Sequence, residues 1–351
     1  MDVTPRSPLD WRGTRWFLAI AFGLAWLLDV PIWLSGQGLA SPWALLILPR
    51  NFTPLLATVL VVRWLSPVPR ARQMVGLCRG APGVPWARYW LAGLLGFTLF
   101  NLASPFVGAL FGRFPLDLGL SAARAAAQTT PEGTALFAQI GAETYVAAVL
   151  ATLPLQALPL VPVTLGEEVG WRGYLLLRLL PLGQWWALIL SGAIWGLWHA
   201  PLILLGFNYP GHPLLGIALT ATMGAIIGTL LGWLRLASGS LWPTVLGHAA
   251  INANQILGGI MLLAAAGASL DTSQATLLGW TGWLLPLLVI ALLAATRRLP
   301  VPGLFEHLPA PIPAQAALHG VLASIRDPGL TRVCLTRSGG SANPPAVEPG
   351  P

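Results

Sequence analysis

The chain contains no lysine: all 19 of its basic residues are arginine. Charge of either sign is scarce, at 9% of 351 residues, while 55% are hydrophobic. Soluble domains carry about 25% charged and about 45–50% apolar residues, so a soluble globular protein is excluded. Mean hydropathy of +0.71 fits a polytopic membrane protein instead. The absence of lysine is accounted for by GC-biased codon use, and no partner is read from it. Net charge is +7 and the pI is near 10.6, a balance often met in nucleic-acid-binding proteins. The arginines, however, cluster beside apolar runs, where anionic headgroups and the positive-inside rule account for them. The bilayer is therefore the expected partner, and nucleic acid is not. Cysteine is nearly absent too. Cys78 and Cys334 lie far apart, without metal-ligand spacing and without the density of a disulfide framework.

Long apolar runs are what the chain has in abundance. About 20 apolar residues cross a bilayer as a helix, and on that rule about eight spans are expected. They fall near 15–35, 43–65, 87–112, 135–161, 184–205, 213–236, 241–266 and 276–296, with Gly, Pro or Arg between them. The fold class is all-α, a transmembrane helix bundle. Its expected parts are N-terminal helices over 1–130, a catalytic core over 131–296, and a Pro/Gly-rich tail over 297–351. The first span follows Arg6, Arg12 and Arg15 without a small-residue cleavage site and is expected to stay as an anchor. Arg63, Arg70, Arg72, Arg79 and Arg88 gather around the second connection. With the N-terminal arginines they place both termini in the cytoplasm of a cell-membrane protein. The tail is expected to be flexible, with a short helix around Ala314 to Ile325 at most, and His307 and His319 in it are read as solvated.

Against this background, Glu167 and Glu168 stand side by side in Leu165-Gly166-Glu167-Glu168-Val169-Gly170-Trp171-Arg172. A carboxylate at membrane depth costs several kcal/mol unless compensated, so such residues are read as functional. Between Arg178 and Asp271 the only formal charge is Arg235, yet His199 and His248 lie there inside apolar runs. Glu168 and Arg172, Trp195 and His199, and His248 and Asn252 are each four residues apart, so each pair shares a helix face. At about 1.5 Å per residue, Glu167 and His199 lie roughly 22 and 25 Å from a turn at Pro181–Gly183. His248 and Asn252 lie roughly 15 and 21 Å from a turn at Ala237–Gly239. All belong to one layer, nearer the cytoplasmic face. Pro154, Pro159 and Pro162 precede the glutamates and predict a helix break there. Broken backbone at membrane depth needs protein or water cover, which predicts a wet pocket beside Glu167. A carboxylate near imidazole can take a proton from water, and further donors can hold the oxyanion formed from a peptide carbonyl.

Glu-Glu-x-x-x-Arg, then aromatic-x-x-x-His, then His-x-x-x-Asn, in order on membrane helices, resembles the CAAX prenyl protease and bacteriocin-processing (CPBP) family of intramembrane endopeptidases. The resemblance covers about residues 140–265. It implies that Glu167 is the general base and that His199 helps to hold the attacking water. It implies that Glu168 assists by pairing with Arg172, and that His248 and Asn252 form the oxyanion hole. Arg172 and Trp195 would be structural supports. Trp171 and Trp195 stand where the family often has phenylalanine, a departure that touches substrate fit more than chemistry. A catalytic zinc on Glu167, His199 and His248 is the alternative to a metal-free glutamate mechanism, which is preferred because no His-Glu-x-x-His helix is present. The expected substrate is a peptide or protein at the membrane.

Blander roles stand beside these. A Glu168–Arg172 pair can simply lock helices, and a lone intramembrane histidine usually makes an interhelical hydrogen bond. Asp29, Arg50, Asn51 and Glu143 are read as span ends, snorkelling side chains or packing pairs, and Tyr209 and His212 as loop residues of little weight. Trp185 and Trp186 are read as an interfacial belt. Two other function classes remain: an inactive immunity or scaffold protein, and a small-solute transporter, against which the lack of matching half-repeats weighs.

Overall fold

The structure is a computed structural model that describes residues 10–68, 70–257 and 259–302, with the side chains at 254–257 excepted. The expected flexible tail, its short helix, His307, His319 and Cys334 lie outside the described residues.

Fifteen α-helices and one isolated bridge, Leu116 to Ala264, are found among the described residues. α1 (Trp11–Leu34) starts where the Asp10 carboxylate accepts a hydrogen bond from the Gly13 amide, which satisfies one of the orphan donors of a helix start. A 3₁₀ turn (Pro42–Leu46) leads into α2 (Ile47–Arg50), and α3 (Thr53–Leu60) continues into a π turn at Val61–Leu65; the two halves meet at a bend of 41°. α4 (Ala71–Val75) lies in the connection to α5 (Trp86–Leu110), and α6 (Ser121–Ala127) and α7 (Pro131–Ile140) precede α8 (Ala142–Gln156). A 3₁₀ turn (Leu158–Leu160) joins α8 to α9 (Val161–Gly170), after which a π turn (Trp171–Leu175) and α10 (Leu176–Leu179) run to the turn at Leu180–Leu182. α11 (Gln184–Trp198), α12 (Ala200–Leu204), α13 (Pro213–Ser238), α14 (Trp242–Leu257) and α15 (Trp280–Ala295) follow.

Among the described residues each expected apolar run is mainly helical, but the count of about eight spans is not confirmed. Among the described residues four helical stretches are long and apolar enough to cross a bilayer, and the bent pair 42–65 makes a fifth if taken as one span. The reason is length. α11 has 15 residues and α14 and α15 have 16 each, which at about 1.5 Å per residue falls short of a core about 30 Å thick. The prolines before the glutamates act as expected on the hydrogen-bond ladder, since α8 gives way to a 3₁₀ turn and Pro162 sits in the first turn of α9. The stretch Ala142–Leu182 nevertheless runs on as 41 helical residues.

Large apolar side chains face outward along the helices: Leu27, Leu34, Leu99, Leu110 and Leu292 are all more than half exposed. Inside lie charged and polar groups, among them Asp29, Arg50, Glu167, Glu168, Arg172 and His248. Such an inversion suits a protein whose outer solvent is hydrocarbon. Glycines let the inner helices approach. A Cβ on Gly192 of α11 would lie 2.1 Å from the Gly224 carbonyl of α13, and one on Gly196 would lie 2.4 Å from that of Thr220. Gly166 and Gly170, which flank the glutamates on one face of α9, are pressed in the same way against the Asn51–Pro54 turn.

Candidate active site

α9 ends at Gly170 and delivers both glutamates into the interior, where Glu167 is 3% and Glu168 0% exposed. The π turn that follows carries Arg172 back onto Glu168, with Nη1 2.6 Å from Oε1. The same Oε1 lies 2.9 Å from Nδ1 of His248 on α14. One carboxylate oxygen thus joins two helices and serves two donors. Because a carboxylate only accepts, Nδ1 carries a proton there, and Nε2 faces away from Glu168.

Glu167 is held differently. Its Oε2 accepts a hydrogen bond of 2.8 Å from Nε1 of Trp195, while its Oε1 has no hydrogen-bond partner among the described residues. Trp195 reaches the other members as well. Its ring lies 5.0 Å from that of His248 and 5.9 Å from that of His199, and the Arg172 guanidinium stacks on it at 4.4 Å.

The position of His199 follows from how α11 ends. Its amide bonds to the Gly196 carbonyl, three residues back rather than four, and the Trp195 carbonyl instead accepts from Nδ1 of His199 at 3.0 Å. A tightened last turn therefore frees the carbonyl that fixes the ring. With the proton on Nδ1, the neutral ring offers Nε2 as an acceptor. Pro201 supplies no amide to continue the ladder, and α12 begins with a new register.

The structure therefore brings Glu167, Glu168, Arg172, Trp195, His199 and His248 together from α9, the π turn, α11 and α14. Asn252 lies one turn beyond His248 and is half-buried, and among the described residues no hydrogen bond ties it to the others. His199 is half-buried too, so these two residues mark the rim of an otherwise closed cluster. Of the cavities outside it, one of about 450 Å³ is lined by Ala103, Phe106 and Leu110, and one of about 180 Å³ by Ala127, Phe137 and Leu262. Neither is the wet pocket expected beside Glu167.

Residues 145–254 match the family model described as type II CAAX prenyl endopeptidase Rce1-like. Over that segment the chain is similar to the CPBP family. The matched segment runs from α8 into α14 and contains every residue of the cluster. Together with the long apolar helices, the match supports a multi-pass membrane protein with a segment similar to a protease family. No curated protein matches the chain. The match says nothing on metal use. Among the described residues no three His, Cys, Asp or Glu side chains are placed to hold a metal ion. Nδ1 of each histidine is bonded to an oxygen, which leaves Nε2 as the open nitrogen of each ring. No chemical step is derived through a metal.

Two residues outside the match approach the site. Arg50 of α2 pairs with Asp29 of α1, its Nε donating to Oδ2 at 3.1 Å, and donates from Nη2 to the Trp198 carbonyl at 2.7 Å. Both are buried, which makes them the packing pair that was one of the readings from sequence. The signal for more was present: each is a formal charge inside an apolar run. Glu143 instead pairs with Arg124 at 2.6 Å on the exposed surface. Tyr209 carries more weight than a loop position suggests, being buried with its hydroxyl donating to the Leu278 carbonyl at 2.8 Å.

Proposed function

We propose that the protein is an intramembrane endopeptidase that hydrolyses a peptide bond of a membrane-associated peptide or protein with water activated by Glu167. The observation that carries this reading is the double engagement of Trp195, whose indole holds Glu167 by one oxygen and whose carbonyl holds His199 by one nitrogen. The free Oε1 and the free Nε2 are then the two groups available to a single water.

Oε1 takes a proton from that water while Nε2 of His199 accepts its other hydrogen, and the oxygen attacks the peptide carbonyl carbon. The carbonyl electron pair moves onto oxygen, and the negative charge is met by donors from His248 Nε2 and the Asn252 amide. Donation by Nε2 requires His248 to carry both ring protons. Glu168, bonded at Nδ1, is then its counter-ion. When the tetrahedral intermediate collapses, the C–N bond breaks and the proton on Glu167 passes to the leaving amine. Glu168 and Arg172 hold His248 and do not touch the substrate.

The experiment compares membrane peptides from cells carrying the wild-type chain and the Glu167→Gln variant. Glutamine keeps the size and the bond to Trp195 but cannot take the proton. An uncut precursor should accumulate only with the variant, at unchanged protein level. A biological phenotype that survives Glu167→Gln intact would favour a scaffold instead.

A further inference from the structure

The carbonyl of Trp198 occupies an unusual place. In a continuous helix it would accept from the amide of residue 202, but the Leu202 amide bonds to the His199 carbonyl at 3.0 Å. Buried carbonyls without a partner cost about 1–3 kcal/mol, so this one has to be satisfied from elsewhere. It is, twice: Arg50 Nη2 donates at 2.7 Å and Trp26 Nε1 at 3.1 Å. The Arg50 guanidinium also stacks at 3.7 Å on the Trp198 ring, which is itself fastened by its indole N–H to the Ala21 carbonyl at 3.2 Å. The Trp198 ring meets the His199 ring edge-on at 4.9 Å. Asp29 fixes Arg50 from behind.

We propose that Asp29 and Arg50 form a positioning pair for His199. They hold the carbonyl and the ring of the preceding residue, and so set the backbone direction at the break from which the imidazole projects. A buried guanidinium suits the task because its rigid fork spans two acceptors at once, the carboxylate and the carbonyl, which an ammonium cannot reproduce. Arg50 touches neither water nor substrate in this scheme. The pair comes from α1 and α2, outside the matched segment, so these N-terminal helices complete a site whose chemical groups lie elsewhere. The catalytic consequence rests on the peptidase reading above; the structural one does not.

The test uses the full-length protein in bilayers with ¹⁵N-labelled histidine, the His199 and His248 ring signals being assigned through His199→Gln and His248→Gln. In the wild type His199 should show one tautomer, protonated at Nδ1. Arg50→Met and Asp29→Asn should broaden or split the His199 signal and leave that of His248 unchanged. Arg50→Lys, which keeps the charge but not the fork, should do the same and serves where Arg50→Met fails to fold. Turnover of the peptide found uncut with Glu167→Gln should fall at least about tenfold in kcat, with KM within about twofold, as expected for a misplaced catalytic group. An unchanged His199 signal in a folded Arg50 variant overturns the proposal. So does equal loss of both histidine signals, which would mark the pair as a general staple. A selective change at His199 without any cleavage depending on Glu167 would keep the positioning role and sink the peptidase reading alone.

Discussion

At the scale of single residues, the cluster is organised around Trp195. Sequence spacing was enough to select Glu167, Glu168, Arg172, His199 and His248, because charge and imidazole stand out against apolar runs. It was not enough to assign Trp195 its work, since an indole in a tryptophan-rich stretch reads as packing until its N–H is seen to end on a carboxylate. Asn252 was legible by motif, and the structure adds only its half-buried place beside His248. Trp195→Phe separates the two uses of the ring. Phenylalanine keeps the aromatic contact with both histidines and Arg172 but removes the donor to Glu167. A hydrogen bond to a charged group is worth about 1.5–3 kcal/mol, so kcat should fall by roughly 10- to 100-fold, with stability lowered by about 1–3 kcal/mol for the buried oxygen left unpaired. An unaltered kcat would mean that the indole does not orient the base.

At the scale of elements, close approach decides the arrangement. Glycines let α11 close on α13 and α9 close on the Asn51–Pro54 turn, and Gly228 of α13 gives room to Arg172, whose Nη2 lies 2.9 Å from where a Cβ would be. Helical runs and both turns, at Leu180–Leu182 and at Gly239, were legible from apolar runs punctuated by Pro and Gly. The number of spans was not, because hydropathy does not register where a helix stops, and α11, α14 and α15 end after 15 or 16 residues inside longer apolar runs. Gly192→Val tests the close approach. Its Cβ would fall 2.1 Å from the Gly224 carbonyl, with only backbone to give way. Overpacking of this kind costs about 1–3 kcal/mol or more, so a large loss of thermal stability in detergent is expected. Gly23→Ala in α1, where a Cβ meets nothing within 4 Å, should instead be neutral or slightly stabilising. Equal stability of the two variants would refute a packing role for Gly192.

At the scale of the whole molecule, the contacts divide the chain ends and connections into two groups. On one side, Asp10 pairs with Arg178 at 3.3 Å and accepts from Ser66 at 2.9 Å. There too Arg235 donates to the Met74 carbonyl at 2.7 Å and the Ala81 amide bonds to the Ser238 carbonyl at 2.8 Å. The start of α1, the arginine-rich connection 66–85 and the α13–α14 turn therefore share one end of the bundle. At the other end the 205–212 loop is tied to the 271–278 segment through Tyr209 to Leu278 and Thr272 to the Asn208 carbonyl. By the positive-inside rule the arginine-rich end is expected to face the cytoplasm. Single cysteines in a Cys78→Ser, Cys334→Ser background report the sidedness, at Pro82→Cys and Gly211→Cys, both exposed positions. In intact cells a membrane-impermeant maleimide should label the variant at 211 and spare the one at 82, which becomes reactive only after the membrane is opened. The reverse pattern would invert the chain and put Glu167 nearer the outer face, where a different set of peptides would meet it.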